Sequence, residues 1–141
     1  MNSRNLSHLL TKKSAVMQDI RYSRSQLSQL ADKITRLRTA VNRIQTDIID
    51  LETTKRKIDR FSVDTSSWKG ANETAFVRRY STYRSNVNHF LQKTVATRDE
   101  LEADLRSAEQ SNLYYTNSLS GLQASLSSLD NQIRQAQVQK E

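Results

Sequence analysis

From Leu6 to Ile58 the side chains that mark a helix seam return on alternating steps of three and four residues. The row reads Leu6, Leu9, Lys13, Val16, Ile20, Ser23, Leu27, Leu30, Ile34, Leu37, Val41, Ile44, Ile48, Leu51, Lys55 and Ile58, and only Lys13, Ser23 and Lys55 are not apolar. Such a heptad seam runs well past the three or four repeats that identify a coiled-coil-like helix. Proline, the strongest helix breaker, is absent from all 141 residues. The spacing predicts one helical arm over residues 4–61. At the usual rise per residue it would be on the order of 85 Å long. A stripe this narrow needs a partner along its whole length, because a lone helix leaves it in water.

After Phe61 the pattern stops. Ser62-Val63-Asp64-Thr65-Ser66-Ser67 is rich in side chains that bond their own backbone and favour turns and caps. Trp68, the only tryptophan, and Gly70, one of two glycines, follow directly. The turn is expected over residues 62–75, with Gly70 supplying backbone freedom, Asn72 or Thr74 capping the next helix and Glu73 in its first turn. A second seam then runs over residues 74–138 through Phe76, Tyr80, Tyr83, Val87 and Leu91 to Leu129, Ile133 and Ala136. The doubled four-residue step at Tyr83-Val87-Leu91 reads as a stutter, and Gly121 marks a point where softness or a kink is expected.

If the chain folds back at Ser67–Trp68, antiparallel partners have numbers adding to about 135. Leu6 then meets Leu129, Val16 meets Leu119, Ile48 meets Val87, and Ser23 falls opposite Asn112. Lys33 is set beside Glu102 and Arg36 beside Asp99, and the tail from Arg134 is left without an intramolecular partner. Because seams repeat, a slip by one heptad satisfies the same pattern. The expected fold is all-α: residues 1–141 form a single, long antiparallel two-helix hairpin. Two helices bury little, so the natural completion is a four-helix bundle with a second hairpin, from another copy or a different helical protein. Met17, Val77, Leu113 and Tyr114, together with Leu10, lie off the seam and are the candidate partner-binding residues.

Composition narrows the chemistry. Without cysteine there is neither a disulfide framework nor a thiolate metal site. His8 and His89 are alone on different arms, and the run Asp99, Glu100, Glu102, Asp104 reads as a solvated face rather than a general-acid or metal site. No phosphate-cradling glycine loop or nucleophile elbow occurs, so no enzyme activity, cofactor, metal or small-molecule substrate is expected. The first residues lack the apolar core of a secretory signal, and no run approaches the length of a transmembrane helix. A cytoplasmic protein is expected, exported, if at all, by a route that reads no such signal.

The chain's net charge of +7 is weighted toward the turn, where Arg56, Arg60, Lys69, Arg78 and Arg79 form a basic tip with Lys55, Lys57 and Arg84. An acidic protein or membrane surface could dock there. Nucleic acid is disfavoured as a partner, because Tyr80 and Tyr83 fall on seam positions and are expected in the core rather than on a stacking surface.

Two long arms joined at Trp68-Lys69-Gly70, with Ala75-Phe76 opening the second, resemble the WXG superfamily of type VII secretion. Ser67-Trp68-Lys69-Gly70 with Phe76 and the basic stretch after it is similar to the YwqH-like proteins, small helical proteins encoded beside LXG-type toxins in Gram-positive bacteria. The resemblance implies an accessory or targeting protein rather than a catalyst. Its partner would be the helical N-terminal region of an LXG toxin, a second small helical protein, or both, with a homodimer as the alternative assembly. It also implies that Trp68, Gly70 and Phe76 form a turn motif read during export. The chain departs from the superfamily in being longer and in lacking the aromatic residue followed four positions later by an acid: none of Phe76, Tyr80, Tyr83, Phe90, Tyr114 or Tyr115 has one. The competing reading is a self-associating cytoplasmic coiled-coil scaffold.

Overall fold

In the computed structural model residues 2–60 and 70–140 are described, and they form two α-helices, α1 (Asn2–Arg60) and α2 (Ala71–Lys140). The fold is the expected two-helix antiparallel hairpin. Every residue of the α1 seam, from Leu6 to Ile58, is buried or half-buried, including Lys13, Ser23 and Lys55. The α2 seam behaves likewise from Phe76 to Ala136 with one exception, Tyr83, which is 54% exposed. Helix-interior threonines are accommodated by turning their hydroxyls back on the helix: those of Thr11, Thr46, Thr53, Thr82 and Thr97 each donate to the carbonyl four residues earlier.

The chain divides into two compact units, Met1–Thr35 with Arg106–Glu141, and Arg36–Leu105. In the first, Leu9 clusters with Leu129, Ile133 and Ala136, with Leu6 and Val16 packed against them. Lys13 keeps its stem in the seam and places its ammonium 2.8 Å from Asp130. Tyr22 and Tyr115 meet edge to face, centroids 6.2 Å apart. In the second unit Ile48 is 1% exposed, the most completely buried large side chain described. The Arg84 guanidinium lies 2.8 Å from Asp59, Arg98 donates to Gln45 at 3.0 Å, and the Tyr80 hydroxyl donates to the carbonyl of Ile58.

These pairs correct the register. Lys13, Gln45 and Asp59 each meet a partner about one heptad further along α2 than a fold-back at Ser67–Trp68 requires. Both units show the same slide. One consequence is that Ile133 (7% exposed) and Ala136 (4%) are packed, so the tail beyond Arg134 is not left over as expected. Ser23, 4% exposed, lines one groove together with Tyr115, Ser118 and Leu122. The heptad choice is physical: Leu9 gains Ile133 and Ala136 as neighbours, and two carboxylates gain cations.

The start of α2 also differs. The helix begins at Ala71, so Asn72 and Thr74 lie inside its first turn rather than ahead of it. Gly70 takes the capping position: its carbonyl accepts from the Thr74 amide at 3.2 Å and from the Thr74 hydroxyl at 3.3 Å. Its φ of +102° is one that side chains rarely tolerate. Glu73 falls in the first turn as expected, where a carboxylate complements the helix dipole. At Gly121 α2 continues as an uninterrupted helix.

Candidate interaction surfaces

The seam is internal, so candidate functional residues are those the helices hold outside it. In the first unit Leu10 (47% exposed), Met17 (41%), Leu113 (62%) and Tyr114 (65%) all point to solvent. Leu10 and Met17 are seven residues apart, two turns along one face of α1 and next to the seam residues Leu9 and Val16. Tyr114 meets Tyr115 edge to face with centroids 5.2 Å apart, so its ring is oriented although it is 65% exposed. The Tyr115 phenol is raised above the ordinary tyrosine pKa, chiefly by its hydrogen bond with Tyr22 and next by burial. Both favour the neutral form of its hydroxyl. A shallow groove between the two helices runs beside these rings, lined by Asp19, Tyr22, Ser118, Gly121 and Ser125. Small side chains there let another backbone approach.

In the second unit the aromatics near the start of α2 part company. Phe76 is half-buried and stacks on Tyr80, centroids 6.1 Å apart and planes 13° from parallel, while Tyr80 is anchored to Ile58. Tyr83 was expected in the seam and is outside it. Arg84, four residues after Tyr80, reaches across to Asp59, but its own side chain is 52% exposed, so the pair lies at the edge of the seam and not in it. Val77 is 50% exposed, and Arg56, Arg60, Arg78 and Arg79 are all exposed. Trp68 and Lys69, the remaining residues of the expected turn motif and basic tip, lie outside the described residues.

Patterning also passed over Ile49 (52% exposed), Phe90 (59%) and Val138 (68%). Each sits one or two positions from a seam residue, so reading the positions flanking the seam would have found them. His8 and His89 are exposed on separate helices. Among the described residues, no group of His, Cys, Asp and Glu is placed to hold a metal, and no helix is long and apolar enough to cross a membrane.

Two long helices sealed by one heptad seam, with large apolar side chains left on their outer faces, define the class: an all-helical hairpin whose chemistry lies on its surface. No curated protein and no solved structure gives a significant match to the chain. It belongs to the YwqH-like family, whose model matches residues 11–131. The match takes in most of both helices and the connection between them.

Proposed function

We propose that the protein is a non-catalytic accessory or targeting subunit of a type VII secretion system, pairing with the helical N-terminal region of an LXG-type toxin. The observation that carries this reading is the exposure of Leu10, Met17, Leu113 and Tyr114 in a unit whose own seam is already filled. Large apolar groups that the hairpin does not need for itself are what a third and fourth helix would cover. Membership of the YwqH-like family supports the same assignment. Binding would bury the off-seam apolar face and leave the complex a bundle with two seams instead of one.

Coexpression with the helical region of a toxin encoded beside its gene tests this. The expected result is a stable heteromer that copurifies through size exclusion. Met17→Asp with Leu113→Asp should abolish it while leaving the far-ultraviolet helical signal of the free protein intact. A tight homodimer with no affinity for that region would replace the reading with a self-associating scaffold. An inert monomer would overturn both.

A further inference from the structure

We infer that the end of the second unit where α1 stops and α2 starts docks onto an anionic phospholipid surface. Between Lys55 and Arg60, and between Ala71 and Arg84, seven basic side chains face two acidic ones, Asp59 and Glu73, and Asp59 is already engaged by Arg84. Helix electrostatics explains only part of this excess. Lys57 and Arg60 lie in the last turn of α1, where cations complement the dipole. Arg78 and Arg79 stand about two turns into α2, beyond the reach of the helix end, and the dipole does not account for them. Neither meets a carboxylate within salt-bridge distance among the described residues.

The arrangement of the side chains selects the partner. At about 100° per residue, Arg78 and Arg79 diverge around the helix, and Val77 and Tyr83 flank its inner face on opposite sides. The cations of α1 add a second, separate set. Charges that fan outward in this way cannot converge on one acidic side chain, but they suit a layer of laterally mobile headgroups, each near cation contributing independently. Val77, 50% exposed, and Tyr83, 54% exposed, put one aliphatic and one amphipathic group among the arginines, the mixture that settles at a bilayer interface. A base-stacking platform is less well served. Phe76 and Tyr80 are both half-buried and lie against each other, and Tyr80 is tied to α1 by its hydroxyl. With no helix among the described residues able to span a bilayer, the contact is peripheral. The site is separate from the off-seam face of the first unit, so it stands or falls independently of the toxin pairing.

Flotation of the full chain with vesicles tests the inference, using phosphatidylcholine alone and phosphatidylcholine mixed with phosphatidylglycerol. The protein should float with the anionic vesicles and not with the neutral ones, and added salt should release it. Arg78→Gln with Arg79→Gln should weaken the partition about 30-fold, taking each cation near the surface as worth roughly fivefold. Val77→Ser should weaken it further, and the helical signal of both variants should match the parent. The inference is overturned if anionic and neutral vesicles bind alike, if neither binds, or if the double glutamine variant floats as well as the parent. It is equally overturned if a DNA duplex at the same salt outcompetes the anionic vesicles for the protein.

Discussion

Gly70 shows how one residue can be identified by type and mistaken in role. Its value was expected to be freedom for a reversing chain. Instead it caps α2, holding φ at +102° while its carbonyl takes the amide and hydroxyl of Thr74. A methyl group added there would meet nothing within 4 Å, so the cost of Gly70→Ala is backbone strain and not a clash. The substitution should destabilise the protein by about 1–2 kcal/mol, the usual penalty for a side chain at positive φ. Urea unfolding followed by circular dichroism measures it, and an unchanged midpoint would mean the cap had relaxed to another conformation. Tyr83 is a second case: its spacing ranks it as a core residue, yet it is 54% exposed, while the neighbouring Arg84 pairs with Asp59 at the edge of the seam.

For the helices themselves, periodicity was a strong guide and register a weak one. The seam positions were legible because burial on one face leaves a three-four spacing that no other element produces. The register was not, since sliding one helix by seven residues puts equivalent side chains into every layer. What separates the alternatives is specific: Lys13 with Asp130, Asp59 with Arg84, and the packing of Ile133 and Ala136 at the end of α2. Exposed ion pairs contribute only about 0–1 kcal/mol each, so they select between registers without holding the helices together. Spin labels test the assignment directly. A label at Lys13→Cys should lie nearer to one at Asp130→Cys than to one at Gln123→Cys, by about 10 Å of helix rise. The reverse order would restore the fold-back at Ser67–Trp68.

The whole molecule has one seam and an outer surface that is apolar in places. Of the candidate site, the off-seam residues Met17, Val77, Leu113 and Tyr114 were readable from spacing alone, and all are exposed. Which of them the proposed partner would touch was not readable, because the chemistry of an interface is shared with a chain that this sequence does not contain. Stability follows the same logic. A ligand that binds only the folded state raises the unfolding temperature with its concentration. On the proposed pairing, the melting midpoint measured with a toxin's helical region should therefore climb as that region is titrated, and climb less for Leu113→Asp.

The seam keeps a seven-residue period along most of α1 and α2, and the groups with distinct chemistry sit at particular steps along it. A hairpin of this kind can gain or lose matched seven-residue blocks from its two helices without rewriting any remaining layer. Chain length is thereby uncoupled from surface chemistry.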